Sequence, residues 1–156
     1  MLSISPERLR ALENTLHADI PLTRVMEVRV LRFDQNGLTL GAALTPNLNH
    51  KNTAFGGSLN SLATLACWAM AQLLCTEEDS RGITVVIQDS QVQFLKPITQ
   101  DFQAVCPVPA AAVVQKFLRT LARKARARVG LTSCIYTKGE LALRFSGQFV
   151  AYQRER

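Results

Sequence analysis

From Leu59 to Leu74 the chain is apolar on nearly every side of a helical wheel. Leu59, Leu62, Ala63, Leu65, Ala66, Cys67, Trp68, Ala69, Met70, Ala71, Leu73 and Leu74 make up the run, and no charge appears before Glu77. A surface helix carries a single apolar stripe; one apolar all round is enclosed by protein or by lipid. The run is interrupted by Ser61, Thr64 and Gln72 and falls short of the ~20 residues a bilayer needs. A buried helix over 57–75 is therefore predicted, with no membrane insertion. Its small residues Ala63, Ala66 and Ala69 suit close approach by a sheet.

The remaining elements follow from their own periods. Ser5-Pro6-Glu7 is a helix start, with a capping serine, proline at the first helical position and an acidic first turn. Leu9, Leu12 and Leu16 then give the stripe of an amphipathic helix over 6–18. Residues 24–33, rich in Val and Leu, predict a strand, and the turn at 34–37 joins it to a half-buried strand over 38–44. After the buried helix comes a polar turn at 77–82. Residues 83–96 form the longest predicted strand. Ile83, Val85 and Ile87 share a face there, but Val92 and Phe94 have the opposite parity. Either a bulge near 88–91 shifts the phase, or both faces are partly covered, one of them by another subunit. The first phase, carried forward, puts Asp89 beside Ile87, where an acid is poorly solvated. Strands over 101–106, 126–137 and 140–151 follow, with a helix over 110–124 before the last two. The pattern is α+β, a curled antiparallel sheet around a central apolar helix, in one domain spanning 1–156.

Composition narrows the class without naming a function. A chain of 156 residues that is 47% hydrophobic has enough for one proper core. The four cysteines (Cys67, Cys75, Cys106, Cys134) form no CxxC pair, so buried apolar thiols are expected, with neither a disulfide framework nor a metal site. No basic and then apolar leader opens the chain, and a reducing cytoplasm fits best. The net charge of +6 suggests an anionic ligand or partner.

The start of the buried helix carries the candidate chemistry. Gly56-Gly57-Ser58 offers a backbone able to take φ > 0 followed by a good capping residue. The first N–H groups of a helix lack internal partners and sit at the positive end of its dipole. They either close a tight turn capped by Ser58 or hold a ligand carbonyl that becomes an oxyanion. A second feature is basic: Lys116, Arg119, Arg123, Lys124, Arg126 and Arg128 fall close together, with Arg144 expected beside them on the next strand. It is either a solvated surface or an anion site. Interleaved aromatics are missing, so nucleic acid is not expected.

The element order, with PNLNHKNTAFGGSLNSLATLACW and VVIQDSQVQFLKPI, resembles the hotdog-fold thioesterases, and within them the YiiD carboxy-terminal family. The second segment matches that family's strand pattern at Asp89, Val92, Phe94, Lys96 and Pro97. The resemblance, spanning roughly 22–152, implies a dimer, or a dimer of dimers, in which the long strands of two subunits pair. It also implies acyl-CoA or acyl carrier protein as substrate, a place in fatty acid metabolism, and no cofactor. That family's domain often follows an acetyltransferase domain; this chain would be a stand-alone version. Relatives of the phenylacetyl-CoA type carry Asn, then His-Gly-Gly, then a helical carboxylate. Asn49, Phe55, Gly56, Gly57 and Thr64 occupy those positions, so the histidine and the acid are replaced.

The mechanism expected from this places the thioester carbonyl at Gly56 and Gly57. Asp89, from either subunit, serves as general base on a water that Asn49 helps hold. Phe55, Ser58, Thr64 and Trp68 would contact the acyl part, with Met70 and Leu65 as further tunnel candidates. Arg123 and Arg126 would hold the anionic part. His50 is expected to be exposed in its polar loop. Two other classes compete: a non-catalytic acyl-binding or dimerisation module on the same fold, and a hydratase, which would need the missing histidine and acid.

Overall fold

The computed structural model describes residues 4–75 and 82–153, so most of the turn expected at 77–82 lies outside the described residues. The elements run α1 (Pro6–Asp19), α2 (Leu22–Val25), β1 (Arg29–Asp34), β2 (Gly37–Ala42), a 3-10 turn (Thr45–Asn47), α3 (Gly56–Cys75), β3 (Ile83–Phe94), β4 (Phe102–Cys106), α4 (Ala111–Lys124), β5 (Arg126–Thr137) and β6 (Glu140–Gln153). Six antiparallel strands make one sheet in the order β1-β2-β4-β5-β6-β3. The sheet curls around α3, which touches every strand from β2 to β6.

Local chemistry explains the start. The Ser5 side chain accepts from the Arg8 N–H, and Leu12 and Leu16 turn inward. The strand expected over 24–33 begins only at Arg29, because Leu22–Val25 is a helical turn. Thr23, fully buried, donates its hydroxyl to the carbonyls of Leu16 and Ile20, which ties that turn to the end of α1. At the β1–β2 hairpin the Asn36 N–H bonds the Asp34 carboxylate, and Gly37 takes φ 109°. A Cβ there would lie 2.1 Å from the Cys106 carbonyl oxygen, so the position requires glycine. β2 is buried along its whole length, not half-buried as expected, because it lies inside the sheet with α3 on one face and Leu31 against Gly41.

α3 is the core. Among the described residues it is the one helix long and apolar enough to cross a membrane, reaching 20 residues, so length does not exclude a span as the sequence suggested. What decides is its surroundings: 67% of the apolar window is buried in protein. Leu62, Ala66, Met70 and Leu74 meet Phe145 and Phe149 of β6, Ile135 of β5 and Leu40 of β2 in one cluster. At ~25 cal/mol per Å² of buried apolar surface, fully burying each such side chain contributes about 1.5–3 kcal/mol before entropy is counted.

The phase change in β3 is a bulge. Its register with β6 slips between Ile87 and Asp89. Ile87 stands opposite Phe149 on the inner face; Asp89 stands opposite Gln148 on the outer one. β3 pairs with β6 alone and is one of the two ends of the sheet.

Candidate active site at the start of α3

The loop before α3 is built by its own polar side chains. Asn49 accepts from the N–H groups of Lys51 and Thr53 through Oδ1, and its Nδ2 donates to the Thr53 hydroxyl at 2.8 Å. An isolated bridge between Leu48 and Ala54 closes the loop, and the Phe55 N–H bonds the Asn47 carbonyl. Asn47 is itself buried, donating Nδ2 to the carbonyls of Met26 and Ala43. The chain is thus held extended up to Phe55 and turns helical at Gly56. Asn49 is occupied in its own turn and shapes the loop. His50 is exposed, as expected.

The glycines have a different purpose from the one the sequence suggested. Neither takes a positive φ, and Ser58 lies within the helix and not at its cap. Their role is space. A Cβ at Gly57 would come within 2.3 Å of the Phe55 ring, and one at Gly56 within 3.4 Å of the Phe94 ring. Two phenyl groups therefore press on the first turn, each 54% exposed. Gly56, Gly57 and Ser58 are half-buried, and among the described residues nothing accepts from their N–H groups. The end of the helix is open and keeps its donors.

From that end one flank of α3 stays only half-buried. Gly57, Ser61, Thr64, Trp68 and Gln72 recur at helical spacing along it. The Ser61 hydroxyl donates to the Gly57 carbonyl and the Thr64 hydroxyl to that of Asn60, both at 2.8 Å. Trp68 donates its indole N–H to the Val85 carbonyl of β3 at 2.9 Å. Met70 is fully buried and Leu65 nearly so, which places both in the core and not along a channel. Phe94 was marked in the sequence by its parity and by the family's strand pattern, without a place at this site; one further residue was not singled out. Asn60, whose side-chain oxygen is buried without a partner, could have been noticed as an amide within an apolar run.

Asp89 is not part of this site within the chain. The bulge turns it to the outer face, exposed, beside Gly130, Thr132, Ser146 and Gln148 in a shallow depression of about 250 Å³. α3 lies behind the other face. The expectation that carried Ile87's phase to Asp89 fails because Gln88 is the extra residue.

The basic residues divide. Lys116, Lys124, Arg126 and Arg128 line a cleft of about 670 Å³ between α4 and β5, whereas Arg119 and Arg123 are exposed and do not line it. Arg144 pairs in register with Cys134, eight positions along β5 from Arg126, so it is not beside the cluster. The thiols of Cys67, Cys75 and Cys106 are buried. Burial pushes Cys75 up to about 11, and Cys106 is raised by its hydrogen bond to Cys67 and by burial.

The same fold is found in known proteins. Residues 9–153 match the family described as "Putative thioesterase (yiiD_Cterm)". The chain belongs to that family. A solved structure from Chlorobaculum tepidum, of a protein of unknown function, shares 28% identity over 97% of this chain and 99% of its own, with TM-score 0.90. A putative thioesterase from Shewanella oneidensis shares 28% identity over 95% and 99%, with TM-score 0.85. A thioesterase from Haemophilus influenzae shares the fold at 16% identity, covering 97% and 93%, with TM-score 0.68. The YiiD-type domain is a hotdog fold of thioesterase type.

Proposed function

We propose that this YiiD-type domain hydrolyses acyl thioesters, of coenzyme A or of an acyl carrier protein, with the carbonyl held at the start of α3. The observation that carries the reading is the open helix end, where Gly57 and Ser58 keep N–H donors that no described residue accepts. Hydroxide attack on the carbonyl carbon puts the negative charge on the carbonyl oxygen, and donors aimed at it stabilise that charge. The C–S bond then breaks and the thiolate takes up the proton of the new acid, giving a carboxylate and a thiol. Loss of one such donor raises a barrier by about 3–4 kcal/mol. Phe55, Phe94, Thr64 and Trp68 contact the acyl group along the open flank. Asn49 acts through the loop it shapes, and Asp89 takes no direct part.

The seam of the site is the free edge of β3. On the side away from β6, β3 has no strand neighbour among the described residues, and it carries exposed Val86, Ile87 and Phe94; such an edge calls for cover. A second copy pairing there, edge to edge, makes the sheet continuous and closes the flank of α3.

Phe55 and Thr64 leave the carbonyl activated by dipoles with no titrating base beside it. The rate of thiol release from acyl-CoA therefore climbs with hydroxide, about tenfold per pH unit between pH 6 and 9; a plateau would reveal a base. Gly57→Pro deletes one N–H where a first turn tolerates proline and is expected to lower kcat by about 10²–10³. Gly57→Ala is the control for the added Cβ, and Asp89→Asn leaves kcat unchanged. A second reading, an acyl-binding module without turnover, is favoured by one observation: the Thr64 hydroxyl at the usual acid position bonds its own helix. Tight binding of acyl-CoA with no thiol released at any pH decides for it.

A further inference from the structure

The cleft between α4 and β5 lies away from the glycine turn and has a wall of backbone. β4 ends at Cys106, because Pro107 has no N–H with which to continue its ladder. It pairs with β5 only at Ala104–Ile135 and Val105–Cys134, so the first half of β5 has no strand on that side. α4 comes there instead. Ala125, at φ 52°, is a left-handed turn that sets α4 and β5 side by side, with Phe117 and Leu121 buried. A helix covers a strand edge incompletely, since its own N–H and C=O groups are spent along its axis. A cleft of about 670 Å³ remains between the two, and the consecutive residues Arg126–Gly130 line it. Side chains of a strand alternate between faces, so a wall of consecutive residues is the strand's backbone edge.

In an antiparallel ladder every second residue turns its N–H and C=O to one neighbour, and the intervening ones turn theirs to the other. β6 takes one set along the whole of β5. From 126 to 131 no hydrogen bond to the other set is found among the described residues. The rim of the cleft carries Lys116 and Lys124 from α4 and Arg126 from β5, none of them in an ion pair among the described residues. Arg128 turns away, its Nε donating to the Gln88 side chain at 2.7 Å. Thr120 lies between the two lysines on one stripe of α4 and donates its hydroxyl to the Lys116 carbonyl. Phe117 and Val129, both buried, form the floor.

We propose that this cleft takes an extended acidic segment of a partner protein, which adds as a short strand along β5. The unpaired edge supplies main-chain hydrogen bonds to an extended chain, and the rim selects its charge. Side chains of the segment that face Lys116, Lys124 and Arg126 are acidic; those that face Phe117 and Val129 are apolar. A small anion would use the cations and leave the edge unpaired. A nucleic acid strand has no amide ladder to add and finds no open ring here, Phe117 being only 2% exposed. Nothing in this involves the glycine turn, so it stands or falls apart from hydrolysis.

The test uses the whole chain and a short end-capped peptide that alternates glutamate and valine. In amide hydrogen exchange, one alternate set of amides between Ala127 and Leu131 exchanges freely in the chain alone and is slowed about tenfold or more when the peptide saturates it. Lys116→Glu with Lys124→Glu is expected to raise Kd for the peptide by about 30-fold. Arg119→Glu with Arg123→Glu makes the same change of net charge outside the cleft and is expected to shift Kd by less than about threefold. Thr120→Trp fills the recess without altering charge and is expected to raise Kd by about tenfold. A peptide alternating lysine and valine does not bind. Failure of the glutamate peptide to bind, binding without slowed exchange on β5, or equal loss in both charge pairs each overturns the proposal. Tighter binding of tripolyphosphate or of a single-stranded oligonucleotide, lost in the lysine pair, overturns it too. So does a change of oligomeric state in the cleft variants, read by sedimentation, because the occupant is then a second copy of this chain.

Discussion

The two flanks of α3 obey different rules. On the covered flank Leu62, Ala66 and Met70 are wholly buried, and the polar group that reaches them, the Ser133 hydroxyl, donates to the Ala63 carbonyl at 2.9 Å. On the open flank Ser61 and Thr64 satisfy their hydroxyls on their own helix, and Trp68 ties the stripe to the sheet through its indole N–H. The covered flank needs shape alone. The open flank keeps small polar side chains that tolerate water. A sheet that covered every side would give more stability and close the start of α3.

That contrast can be broken most strongly from the covered side. Phe149→Ala empties a fully buried place on the inner face of β6 and is expected to cost about 3–5 kcal/mol in denaturant unfolding. Trp68→Phe removes the bond to the Val85 carbonyl and leaves that acceptor poorly satisfied, at a cost of about 1–2 kcal/mol. Thr64→Val exchanges a hydroxyl that only back-bonds the helix, and a stability change under about 0.5 kcal/mol is expected, together with altered acyl-chain preference in the thiol-release assay. A large loss of stability from Thr64→Val, or none from Phe149→Ala, would mean that the flanks are not different in kind.

Much of this was legible in the chain. The all-round apolar run gave α3, and the alternation from Ala127 to Ile135 gave β5 with those positions inward. The parity break in 83–96 announced a bulge. Its position was not readable, because Gln88, Asp89 and their neighbours are all polar and any of them could be the extra residue. One place of difference sends Asp89 to the opposite face. The glycine pair was legible as a site and misread in its physics: the strain it relieves is not in its own φ but in two rings from Phe55 and Phe94, one of them far away in sequence. Arg24 and Val25 were read as the start of a strand because the stretch is rich in Val and Leu; Thr23's buried bonds to α1 override that preference.

By itself, then, the sequence determined the periods: which stretches hide one face, which hide two, and where glycine, proline and charge interrupt them. Those follow from side-chain chemistry repeated at fixed spacing, which needs no partner to be read. The tertiary structure alone decided which groups meet. It took Asp89 away from the glycine turn and brought Phe94 to it, because such meetings depend on register, and register is fixed by the packing of the entire sheet around α3.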